Sequence, residues 1–170
     1  MIYMVEQNLS DRGKREGWDP WYLAHMKMLI TIPGIHATQR FESLHPHASP
    51  FVALHEVDSP DVFESAAYRA KAGPTNTGEW RLLMVNWHRN VFAGIEHTPD
   101  VAMDARLLVV EDGAVAPVKL AWLTAVGLER SPARRAIAVI PLAADAEALI
   151  GQPGIRVCKP LTPRLVAGTA

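Results

Sequence analysis

The chain has 170 residues, 49% of them hydrophobic and 21% charged, with a formal net charge of −1. That length suits one domain or two small repeats sharing a core, and a near-neutral chain without clustered Lys/Arg has little pull on nucleic acid or an anionic membrane. Cys158 stands alone, no apolar run approaches membrane-spanning length, and "MIYMVEQNLS" lacks the basic and apolar regions of a signal peptide, so the expected compartment is the cytoplasm.

In chain order, "IYMVEQN" (2–8) reads as a strand and "LSDRGKREG" as a polar loop. Asp19-Pro20 supplies an N-cap with Pro at the first helical position, and "WYLAHMKMLITI" (21–32) reads as a helix that Pro33-Gly34 stops. "GIHATQRFESL" (34–44) and "FVALHEV" (51–57) read as strands around the turn "HPHASP". Ser59-Pro60 repeats the cap-then-Pro signal ahead of a helix reaching Gly73; "EWRLLMV" (79–85) reads as a short helical turn and "WHRNVFAGIE" (87–96) as a fourth strand. This order is the ferredoxin-like β-α-β-β-α-β unit, assigned to residues 1–100.

Residues 101–170 echo it in reduced form. Strands "ARLLVVED" (105–112), "LAWLTAVGLERS" (120–131) and "RRAIAVIPL" (134–142), helix "AADAEALIG" (143–151) and strand "GIRVCKPL" (154–161) follow one another, with the first helix lost or reduced to "GAVAPV". The expected fold class is α+β: a ferredoxin-like unit carrying the pocket, then a degenerate second ferredoxin-like unit acting as scaffold, the two forming an α+β barrel. "RRAIAVIPL" is expected to complete that barrel against the first unit's sheet, burying Ile137 and Val139. Closure within one chain and closure in a homodimer of first units both satisfy the pattern.

The stretches "WDPWYLAHMKMLITIPGIHATQRFE", "FVALHEVDSPDVFESAAY" and "TGEWRLLMVNWHRNVF" resemble the dimeric α+β barrel superfamily over roughly residues 1–96. That group includes muconolactone isomerases, methylmuconolactone methylisomerases, EthD-like proteins, and small polyketide cyclases and monooxygenases. The resemblance implies a pocket between sheet and helices and, from the methylisomerases, a functional histidine at His25. It implies no single chemistry, because the fold hosts many functions.

All seven histidines and four of the five tryptophans lie in residues 1–97, so a pocket with polar reach and aromatic walls is expected there. His25 shares a helix face with Trp21, Met28 and Leu29; burial there keeps an imidazole neutral and able to act as a base, and a core histidine bonded to a carbonyl fits equally well. His55 shares a strand face with Phe51, Ala53 and Val57. Arg40 shares a polar face with His36, Thr38 and Glu42, which suits either a carboxylate clamp inside the barrel or a pair with Glu42. In "NWHRN" (86–90), Trp87, Arg89 and Val91 point one way and His88, Asn90 and Phe92 the other. No HExxH, GxGxxG, P-loop or GxSxG is present, so no metal or cofactor is implied, and haem lacks any mark beyond an available histidine.

The expected activity is cofactor-independent acid/base chemistry of the isomerase, cyclase or lyase kind on a small organic acid, lactone or phenolic metabolite. His25 and His55 would serve as base and acid, and His88 as a second acid or orienting group. Arg40 would clamp an anion, with Arg89 and Asn90 as further contacts and Trp21 and Trp87 as walls. The alternatives are a non-catalytic binding or accessory protein with the same pocket and, third, a monooxygenase.

Overall fold

The first strand, β1 (Ile2–Leu9), is buried on both faces, as a strand must be when one side meets a barrel interior and the other a helix. Its alternation sends Ile2, Met4 and Glu6 inward and Tyr3, Val5 and Gln7 outward. The computed structural model describes residues 1–168. β1 is followed by α1 (Arg15–Leu29), β2 (Ile35–Ser43), β3 (Phe51–Val57), α2 (Ala66–Lys71), α3 (Trp80–Leu83) and β4 (Met84–Ala93). Then come β5 (Arg106–Glu111), β6 (Ala121–Leu128), β7 (Arg134–Ile140), α4 (Ala143–Glu147), β8 (Ile155–Pro160) and β9 (Leu165–Val166).

The strands form one antiparallel sheet in the order β3-β1-β4-β6-β7-β5-β8-β2, closed on itself by β2 against β3, with β9 added along the start of β2. This corrects the expected fold class. The chain is a closed, mostly β, eight-stranded barrel, not a ferredoxin-like α+β unit followed by a degenerate copy. Two observations overturn the expectation. The sheet runs unbroken through both halves, with seams at Asn90–Ala93 against Thr124–Leu128 and at Phe41–Ser43 against Cys158–Pro160. Helix is scarce: beyond the fifteen residues of α1, the helices have six, four and five.

The shortfall has local causes. The helix expected from Pro60 to Ala72 is a 3₁₀ turn (Pro60–Glu64) and then α2, because Ser65 leaves helical geometry (ψ 147°) and its hydroxyl caps a new start at Tyr68 N–H. α1 begins at Arg15, four residues before the expected cap, so Pro20 lies inside it. Asp19 does not cap; its carboxylate takes Arg15 at 3.0 Å and Arg40 at 2.8 Å. The edge expected for "RRAIAVIPL" is also displaced. β7 pairs with β5 and β6, while β6 and β8 make the seams to the first half; Ile137 is buried and Val139 is 36% exposed.

An eight-stranded barrel has just enough interior for side chains. Here Ile2, Met4, Phe41, Leu54, Phe92 and Leu107 fill it. One end is plugged by ions: the Glu6 carboxylate takes both Arg135 and Arg156, all three buried, and Arg135 also reaches Glu111 at 2.9 Å. At the opposite end Glu56 accepts from Arg164 at 2.8 Å and from the Thr98 N–H at 2.9 Å, beside His97. The interior is therefore core, and a pocket must lie outside the wall. Of the described residues, no helix is long and apolar enough to cross a membrane.

The β4–β6 seam depends on Gly94. Its φ is +132°, and an added Cβ would stand 2.2 Å from the carbonyl oxygen of Trp122. Gly94→Ala is expected to lower the unfolding free energy by about 2–3 kcal/mol in urea titration. Gly151→Ala, also at positive φ (+84°) but with nothing near its Cβ, should cost about 1 kcal/mol. Equal losses would show that backbone strain alone, and not contact across the seam, governs Gly94.

Candidate functional site

α1 and α2 lie against the outer face of β1, β3 and β4, and the cavity between them is lined by both expected histidines. α1 contributes Trp21, Tyr22 and His25; the sheet contributes Tyr3, Gln7 and His55; Tyr68 comes from α2, and Thr77, Met84 and Trp87 from the segment leading into β4. Register explains the convergence. Tyr3 lies opposite both His55 on β3 and Val91 on β4, so all three share the helix-facing side, and Trp87 follows two strand alternations away.

The histidines are held by stacking. His25 lies over Trp21 with ring centres 5.2 Å apart and planes within 14°. Its ring nitrogens have no hydrogen-bond partner among the described residues. His55 stacks on Tyr3 at 5.1 Å, and its Nδ1 is 2.8 Å from the Thr38 hydroxyl. Burial pushes His25 down to about 4; burial, then the neighbouring His25, pushes His55 down to about 3. Both rings are neutral near pH 7.

The tyrosines move the other way. Burial, and then Tyr68, raises Tyr3 well above the usual phenol value; burial raises Tyr22 to about 12 and Tyr68 more modestly, against the pull of Arg89. All three stay protonated and can donate. Gln7 Oε1 and Trp87 Nε1 are buried without a partner, one acceptor and one donor left open at the wall. The pocket thus combines aromatic walls with neutral polar groups, and no charged side chain lines it. As closed here it holds about 30 Å³, room for about two waters.

The other expected residues lie elsewhere. Arg40 faces the helix side, not the barrel interior, because Gln39 and Phe41 take the inward positions. Its guanidinium is buried over Trp18 (4.3 Å) and Tyr22 (4.4 Å) and ion-paired with Asp19, so it is spent on holding α1 to the sheet. Glu42 takes a bidentate pair from Arg15 at 2.7 and 2.8 Å. His88 is exposed and meets Glu129 at 3.2 Å. Asn90 points into the barrel and donates to the Ser131 carbonyl at 2.8 Å. Arg89 lies over Trp87 at 5.0 Å, at the edge of the pocket. His25, His55, Trp21 and Trp87 are therefore brought together, with Arg89 beside them and with Arg40, His88 and Asn90 apart.

Sequence reasoning passed over Tyr3, Gln7 and Tyr68. The signal for Tyr3 was available in the alternation of β1, which places a phenol among apolar neighbours. Among the described residues no group of three or more His, Cys, Asp or Glu side chains could hold a metal ion. The Cys158 thiol faces the packed interior, and burial raises it to about 11, so it is no nucleophile. No protein-family model matches the chain, and no curated protein matches it.

Proposed function

We propose that the chain binds a small organic metabolite in this pocket and moves a proton on it by acid–base chemistry, with His25 as the base. The observation that carries the reading is the meeting of two neutral imidazoles with the Tyr3 and Tyr68 hydroxyls in a water-poor aromatic pocket. It rests on that pocket and not on the resemblance of the first half to any superfamily. Neutral His25 has a free lone pair to accept a proton. Tyr3 donates its hydroxyl to the Tyr68 oxygen, and the Tyr68 hydroxyl, held protonated, is left to donate to the oxygen on which charge develops. His55, tied to Thr38, is neutral too; it serves as a hydrogen-bonding partner and not as the acid.

A ligand larger than two waters needs the lid to move. The lid is the segment from Gly73 to Met84, hinged at Gly73 and Gly78 (φ +90° and +59°) and resting on α1 through Trp80 against Trp21 at 6.0 Å. Small organic acids, lactones and phenols screened by thermal shift and then by proton exchange in deuterated water would find the substrate. His25→Ala should then lower kcat by about 10²–10⁴-fold, and kcat/KM of the native chain should show no inflection near the ordinary imidazole value of about 6.5, because the base stays neutral well below it. Unchanged turnover in both His25→Ala and His55→Ala would refute the reading.

A second reading, a binding protein without turnover, is favoured by the same depressed histidines, since a base that weak is a modest catalyst at neutral pH. It predicts ligand-induced stabilisation without proton exchange at any pH.

A further inference from the structure

Trp87 closes one side of the pocket and carries two cations on its ring. The Arg81 guanidinium lies 4.7 Å from the ring centre and that of Arg89 5.0 Å. One such contact is favourable; two bring a pair of positive charges to the same ring. Neither has an acidic partner among the described residues. The carboxylates nearby are engaged: Glu64 pairs with Arg69, and Glu129 takes His88 and the backbone N–H of Arg89. Trp87 Nε1 is a third donor at this point, buried and unpartnered.

A second groove adjoins the pocket at this place. It has about 220 Å³, is lined by Arg89, Leu128 and Phe63, and shares Tyr68 and Gly73 with the pocket. A molecule reaching from groove to pocket would pass Arg89 first, then Tyr68, then the imidazoles. We infer that the ligand of this pocket is a small planar organic acid, its carboxylate held at the mouth by Arg89 and Arg81 and its apolar body directed toward His25 and His55. The inference deepens the function proposed above and rests on the pocket being the functional site. It assigns recognition of the anion to β4 and the lid, and leaves the inner pocket uncharged, where a carboxylate would lack a counter-ion. A guanidinium fork suits a carboxylate geometrically, and the charge would draw both arginines to one group.

The test uses matched acids and amides, benzoate with benzamide and sorbate with sorbamide, titrated into the full chain. Binding is read from tryptophan fluorescence and from the Trp87 indole N–H resonance. The acids are expected to bind at least about tenfold tighter than the amides. Arg89→Met should abolish that preference, Arg89→Lys should restore part of it, and Arg81→Met should weaken it less. Equal binding of acid and amide to the native chain, or a preference that survives Arg89→Met and Arg81→Met, would overturn the carboxylate assignment while leaving the pocket in place. If neither member of either pair perturbs Trp21 or Trp87, the pocket reading falls and this inference with it.

Discussion

A fragment ending at residue 100 is expected to be insoluble or to self-associate, and to show no cooperative unfolding. The cut removes both partners that close the sheet, leaving β4 without β6 and β2 without β8. Two open edges then offer unpaired backbone to other chains. It also uncovers Ile2, Met4, Phe41, Leu54 and Phe92, each of which contributes roughly 1.5–3 kcal/mol while buried. The ionic plug suffers separately. Burial would raise Glu6, but Arg156 and Arg135 outweigh it and hold its carboxyl below the ordinary value. Removing both arginines leaves a carboxylate with its counter-ions gone, a loss of about 3–5 kcal/mol for a buried pair. Size-exclusion chromatography and thermal unfolding of the fragment beside the full chain check this; a soluble, monomeric, cooperatively unfolding fragment would show that the first four strands need no barrel.

The same seams explain what could be read from residues alone. The strands announced themselves by composition and alternation: β1, β3, β5, β7 and β8 lie where apolar β-formers place them, β2 follows the stop at Pro33-Gly34, and the facings of His55 and of Trp87, Arg89 and Val91 follow from period two. Closure did not announce itself. Pairing of Phe41 with Pro160 spans most of the chain, and no local pattern encodes which two edges will meet. Helix content was overread because cap signals are shared by short turns: Ser59-Pro60 does start a helical turn, yet Ser65 supplies a second serine cap six residues after Ser59 and breaks it. Arg40 was aimed inward because a polar face beside a barrel suggests a lumen; Trp18, Tyr22 and Phe51 instead offer it three ring faces under α1, and that contact has no sequence signature. Tyr3 joined the site only through its register with His55, which is again a pairing between strands.

Stability is expected to fall steeply as the solution is acidified from pH 6.5 to pH 5, before the carboxylates titrate. His25 and His55 are depressed in the folded chain to about 4 and about 3, while in the unfolded chain both return to an ordinary imidazole value near 6.5. Below 6.5 the unfolded state therefore takes up protons that the folded state refuses. Stability is fully present above that pH, declines through the window, and stops declining for each histidine once its folded value is passed. Each group contributes up to about 1.4 kcal/mol per pH unit, so by pH 5 the pair has removed roughly 4 kcal/mol, a large share of the stability of many domains. Glu6 and Glu42, held below their ordinary range by arginine pairs, and Glu56, held there by hydrogen bonds from His97 and Thr98 and by Arg164, all outweighing burial, act in the same direction but only below the ordinary carboxylate range. The two windows are thus separable. Urea titrations at pH 7, 6, 5 and 4 should show the slope, and His25→Phe, which keeps the stack on Trp21, should halve it. Stability that stays level down to pH 5 would mean that the imidazoles already meet enough water to titrate normally, and His25 would then lose the dry, neutral setting that makes it a base.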